Sequence, residues 1–214
     1  MTTVTDQVKE KLRAVLVFDQ NMLILAAILG FFAGFASTFF RWMIEFFESI
    51  FSIKGLSLTG IPPQFYPFLL PLMPMLGGCF IGLICKYFPN AVKENGVHKV
   101  MHAVAMDDGK LRKRTITSCA ITSSITIGSG GSAGREGPTV QIGSAIGSTI
   151  GQILHLTTER IRVLVGCGAA AGIAASFNAP LAGVLFALEI ILGDFTIHTF
   201  SPIIIASVIG TVTG

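Results

Sequence analysis

The chain has 214 residues and a net charge of +3, and only 13% of its residues are charged, against roughly 25% in typical soluble domains. With a mean hydropathy of +0.72, this composition argues against a soluble α/β domain, and the small positive charge excludes a nucleic-acid surface as the organising feature. Uncharged runs at Met22–Phe40, Gly55–Cys85, Thr115–Gly134, Gly137–Thr158, Val163–Leu188 and Phe195–Gly214 compare with the ~20 helical residues that cross a ~30 Å hydrocarbon core. The chain therefore reads as an all-α polytopic membrane protein.

Residues 1–20 mix charged and apolar positions and predict a short amphipathic helix at the cytoplasmic surface. The first span is expected over Asn21–Phe51, longer than a perpendicular crossing needs, which implies tilt. Trp42, Phe46, Phe47 and Phe51 suit an interfacial aromatic belt. Pro62, Pro63, Pro67, Pro71 and Pro74 predict an irregular loop leading into a span over Leu72–Phe88. Residues 91–105 predict a helix too short to cross. Lys110, Arg112, Lys113 and Arg114 follow, and Lys9, Lys11 and Arg13 precede the first span. Two crossings put both basic clusters on the cytoplasmic side, as the positive-inside rule requires.

Residues 115–130, "TITSCAITSSITIGSG", would pass for a β-strand in isolation. In a bilayer they predict a helix, because an open sheet edge cannot face lipid. Glycines four apart at Gly30/Gly34, Gly78/Gly82, Gly143/Gly147/Gly151 and Gly168/Gly172 predict flat helix faces that pack closely. Cys79, Cys85, Cys119 and Cys167 have no metal spacing and read as small core residues. His98 and His102 are four apart but lack Asp, Glu or Cys partners at ligand spacing, so no metal site is expected. The polar N-terminus shows no cleavable signal peptide.

Two breaks interrupt the apolar sequence, "GSGGSAGREGPTVQIG" at 128–143 and "SFNAPLAGVLFALEI" at 176–190. In the second, Asn178 and Pro180 suit a helix start. A helix that begins at membrane depth presents unpaired amides and a positive dipole end, an anion site that needs no cationic side chain. The glycines of the first break approximate a phosphate loop, but Arg135-Glu136-Gly137-Pro138 stands where a Walker loop needs Lys and Ser or Thr. Glu136 has two readings. It forms a static pair with Arg135, or it occupies the anion site itself as a tethered competitor that leaves when protonated.

"GREGPTVQIG" at 134–143, "GCGAAAGIAAS" at 166–176, "FNAPLAGVLFALE" at 177–189 and "GDFTIHTFSP" at 193–202 resemble the signature segments of the CLC family of chloride channels and chloride/proton exchangers. The resemblance implies a homodimer in the bilayer, each subunit built from two inverted halves, with chloride held at helix N-termini near the midplane. Gly134, Arg135, Gly137 and Pro138 match the gating motif, and Glu136 matches the gating glutamate. Amides around Glu136–Gly137, beside Arg135, would help hold the outer anion. The family's first anion motif, G-S-G-I-P, has its counterpart at Glu94-Asn95-Gly96-Val97-His98. Here Asn95 and Gly96 would contact the anion, Asn95 replaces the serine and His98 the proline, which leaves anion preference open.

Exchangers of the family carry a second glutamate after the position matched by Glu189; here that residue is Ile190, which weakens the case for proton coupling. Glu189 is a candidate for the proton path or a structural hydrogen-bond member. The family's G-x-F-x-P loop and inner tyrosine have no counterpart, since Tyr66 and Tyr87 lie too early, so the chain is expected to be the N-terminal half of a subunit that needs a C-terminal half. The implied function is chloride transport, as channel or proton-coupled exchanger, without a cofactor, in a bacterial inner membrane with the N-terminus cytoplasmic. The alternative is a non-conducting half-subunit that pairs with or regulates another chain. An intramembrane enzyme is disfavoured because Ser129 and Ser132 have no histidine base in their sequence context.

Overall fold

The structure is a computed structural model that describes residues 4–52, 62, 64, 66–87 and 96–214, of which 4–19, 67 and 197 are described in backbone only. Among the described residues there is no strand. The helices run in the order α1 Val4–Phe51, α2 Tyr66–Leu69, α3 Leu72–Tyr87, α4 Val97–Met106, α5 Arg114–Gly128, α6 Glu136–Ile153, α7 Thr158–Phe177, α8 Pro180–Phe186 and α9 Ile197–Thr213. A π-helical segment, Ala187–Leu192, continues α8.

Helix α1 is unbroken, so helical backbone covers the predicted N-terminal helix and the first span together. Its apolar part, Gln20–Phe51, extends about 48 Å at 1.5 Å per residue, well beyond one hydrocarbon thickness. Thr158–Phe177 is also long and apolar enough to cross. Helix α3 begins at the predicted span, and α4, Val97–Met106, falls on the short helix expected over 91–105, of which 91–95 lie outside the described residues.

Helix α7 forms the centre, packed by α6, α9, α1 and α8. It is buried from Leu164 through Ala175 because its Gly/Ala sequence presents almost no side-chain bulk on any face. On α6 and α7, Gly143 and Gly168 face each other so closely that a Cβ on either would strike the other's carbonyl oxygen, and Gly147 meets the Leu164 carbonyl in the same way. Gly30 and Gly34 of α1 bring it against the backbone of Ala206 and Gly210 on α9. Gly78 and Gly82 differ: no described atom lies within 4 Å of a Cβ built there, so this stripe of α3 is open among the described residues.

The β-prone composition of α5 is reconciled with a helix by its hydroxyls. Ser118, Thr122, Ser124 and Thr126 each donate to the carbonyl four residues earlier, at 2.5, 2.8, 2.6 and 2.8 Å. These bonds satisfy the hydroxyls within the helix. At the other end of the bundle, α6 closes in a Schellman turn with His155 at φ 50°, where Leu156 N–H donates to Gly151 O at 3.0 Å and His155 N–H to Gln152 O at 3.3 Å. Asn178 does not start α8 as its sequence context suggested. It ends α7 in the left-handed region at φ 53°, and Ala179 is the N-cap of α8. An Asn tolerates this conformation, so it suits a helix end as well as a start. Of the four cysteines, Cys119 and Cys167 are buried as expected, Cys85 is half-buried and Cys79 is exposed.

Candidate functional site

The turn between α5 and α6 is built to reverse the chain within a few residues. Ser129 N–H donates to Ile125 O, Gly130 N–H to Ile127 O and Gly131 N–H to Thr126 O, all at 2.9–3.0 Å. Gly130 takes φ 89°, which a side chain resists. Gly131 lies so near Thr126 that a Cβ would stand 2.6 Å from its carbonyl oxygen. The chain thus leaves α5 and enters α6 with Arg135 as N-cap and Glu136 as the first helical residue.

The Glu136 side chain folds back over Gly134, where an added Cβ would collide with its Oε2. Among the described residues no ion pair joins it to Arg135, so the static-pair reading has no support in this geometry. Both side chains are exposed, and Gly137 is half-buried. The Arg135 carbonyl is taken by α6 itself, accepting from Thr139 N–H at 3.1 Å and Thr139 Oγ1 at 2.7 Å. The first amides of the helix keep their donor capacity. A carboxylate at such an end sits favourably in the helix dipole, and so would a free anion.

Other helix ends are drawn to the first turns of α6. Ser176, near the end of α7, donates to Thr139 Oγ1 at 3.3 Å and shares a 2.9 Å hydrogen bond with Ser37 of α1. Arg41 of α1 holds the Ala175 carbonyl at 3.0 Å. These bonds fix the α7–α8 break, with Pro180 at N1 of α8, beside α6. One and a half turns into α6, Gln141 Oε1 accepts the Gly96 amide at 2.8 Å. Gly96 is the N-cap of α4 at φ 121°, so the start of α4 is tied to the same helix.

The structure therefore brings Arg135, Glu136, Gly137 and Gly96 onto one helical framework. Asn95 lies outside the described residues. Glu189 is exposed within the π segment, and Ile190 lines a cavity of about 1220 Å³ together with His102, Glu159, Arg162 and His198. His98 stands at the second position of α4, exposed, its ring against Gly96. Among the described residues no group of three His, Cys, Asp or Glu could hold a metal.

Sequence reasoning missed Gln141, Thr139, Ser176, Ser37 and Arg41. A polar residue inside an apolar helical run was the available signal for Gln141. It does not separate a lipid-facing amide from a fully buried one.

Residues 77–214 match the family described as voltage gated chloride channel. A ClcB-like protein of Ralstonia nicotianae is 38% identical over 141 residues, covering 64% of this chain and 33% of that protein. The voltage-gated ClC-type chloride channel ClcB of Escherichia coli K12 is 28% identical over 191 residues, 88% of this chain and 46% of its own length. Among solved structures, a CLC-type fluoride/proton antiporter superposes with a TM-score of 0.73 at 28% identity, covering 91% of this chain and 46% of the antiporter. The chain thus spans less than half the length of these relatives. Its all-α membrane fold and the match over 77–214 carry one conclusion: the chain belongs to the voltage-gated chloride channel, or CLC, family of integral membrane proteins.

Proposed function

We propose that this chain contributes to a transmembrane anion pathway, chloride being the anion that the E. coli relative's name indicates, with Glu136 as its gate. The observation that carries the reading is the Glu136 carboxylate folded over Gly134 at the first residue of α6, the position where a free anion would bind. An ionised carboxylate competes with the anion. A protonated one gains little from the helix dipole and yields its place. Arg135 would add local positive potential, while the amides at Gly137 and beyond Gly96 would donate to the anion. Protons enter the reading as the switch of the gate. Ile190 cannot relay them, so conduction without obligatory proton exchange is the mode these residues favour, and Glu189 is the carboxylate left for any inward proton path.

The bilayer houses this pathway, the N-terminus faces the cytoplasm of a bacterial inner membrane, and a homodimer is the expected assembly, each pathway completed by a C-terminal half. The test is anion flux in proteoliposomes of this chain together with the C-terminal half that completes the pathway, with wild type compared with Glu136→Ala from acid to neutral pH. Wild-type flux should rise on acidification, and the variant should be open and nearly pH-independent. Equal pH dependence in both would make Glu136 structural. Absence of anion flux in wild type would favour the non-conducting module that pairs with another chain.

A further inference from the structure

We infer that Gln141 is a positioning residue for the anion pathway: through one buried oxygen it sets the start of α4 against the gating helix. The inference rests on the anion reading above and assigns a role to a residue that touches no anion. Gln141 lies in α6 five residues beyond Glu136 and is 0% exposed. Its Oε1 accepts two donors from two other elements, the Gly96 N–H at 2.8 Å and the Cys119 thiol of α5 at 3.3 Å. Three helices, α4, α5 and α6, therefore meet on a single side-chain oxygen.

The consequence falls on α4. Its N-cap, Gly96, has φ 121° and ψ 160°, a conformation that a residue with a side chain resists. A Cβ there would also stand 2.8 Å from the His98 ring. Because Gln141 takes the Gly96 amide, that group is withdrawn from any ligand. The amides that follow, of Val97 and His98, are the ones at the open end of α4, where a helix has no internal acceptors for its first N–H groups. The same bond fixes where that end points relative to Glu136, since both residues ride on α6. A buried acceptor with two donors has little freedom to move, and losing it leaves the Gly96 N–H without its partner.

The experiment measures the chloride concentration for half-maximal flux in proteoliposomes of this chain with the C-terminal half that completes the pathway, in a Glu136→Gln background so that the gate does not titrate. Gln141→Met keeps the volume and removes the acceptor. It should raise half-saturating chloride about fivefold, the size expected of one hydrogen bond, with maximal flux changed less than about twofold. Gln141→Glu keeps an oxygen in place. It should match Gln141 at acidic pH, where the neutral acid keeps an oxygen for the Gly96 amide. An unchanged half-saturating concentration in Gln141→Met overturns the inference while leaving the anion reading intact. If Gln141→Met fails to fold, Gln141→Leu, which also removes the acceptor, decides, and an unchanged half-saturating concentration there overturns the inference. A background protein with no anion flux sinks the anion reading and this inference together.

Discussion

Gly134 determines where the Glu136 carboxylate rests. Because a Cβ at Gly134 would occupy the place of Glu136 Oε2, Gly134→Ala must push the carboxylate off the helix end. At neutral pH its anion flux should exceed wild type by about threefold, a change of ~0.7 kcal/mol in the closed state. Flux equal to wild type would show that the seat over Gly134 does not control the gate. The motif around Glu136 was readable because each residue has a local job: glycine for the turn, a carboxylate at the first helical position, Pro138 in the first turn. Gln141 was not readable in this way, since its task is set by Gly96 and Cys119, distant in sequence and joined to it only by folding.

At the scale of the elements, the α6–α7 contact and the clamp of α6 on residues 109–111 make separate predictions. Gly143→Ala places a methyl against the Gly168 carbonyl, so the helices must separate; overpacking of this kind costs ~1–3 kcal/mol. It should lower the melting temperature in detergent by several degrees. Gly78→Ala in the 214-residue chain meets no described atom within 4 Å and should be neutral or slightly stabilising, because Ala is the better helix former by up to ~1 kcal/mol. The contrast is the check: equal losses at both positions would show that α3 is packed as tightly as α6. The buried Ser148 hydroxyl accepts from Leu111 N–H at 2.8 Å and donates to Gly109 O at 2.6 Å, and Gln152 Nε2 reaches Leu111 O at 2.9 Å. Ser148→Ala leaves two buried backbone groups unpaired, worth ~1–3 kcal/mol, and hydrogen exchange at Leu111 should accelerate at least about fivefold. The helical state of α5 could be read from the chain only by assuming a bilayer. The π segment after α8 had no local sequence signal, and Asn178 suited a helix start and a helix end equally, so only the structure shows that it ends α7.

For the whole molecule, the basic loop and the end of α6 share one face, since Gln152 and Ser148 grip residues 109–111. Together with the positive-inside rule, this predicts Arg112 on the cytoplasmic side and Ser49, near the far end of α1, outside. In a background with Cys79 and Cys85 replaced by serine, Ser49→Cys should react with an impermeant thiol reagent in right-side-out vesicles, and Arg112→Cys only in inverted ones. The reverse pattern would invert the topology. Large apolar side chains stay exposed along α1, α3, α8 and α9, including Phe35, Trp42, Phe80, Leu181 and Val212. A soluble domain could not leave such surface in water, whereas a bilayer or a neighbouring helix covers it without cost.

The sequence by itself determined the membrane class, the approximate helices and the family motif at 134–138. These depend on composition, runs and spacing within one segment, and the bilayer imposes helical structure on whatever spans it. The tertiary structure alone decided that Gly143 and Gly168 are a contact while Gly78 and Gly82 are open, that Asn178 ends α7, and that Gln141 joins three helices. Each of those facts depends on which residues from separate segments share a few ångströms of space, and that is fixed by close packing of backbones rather than by any local pattern.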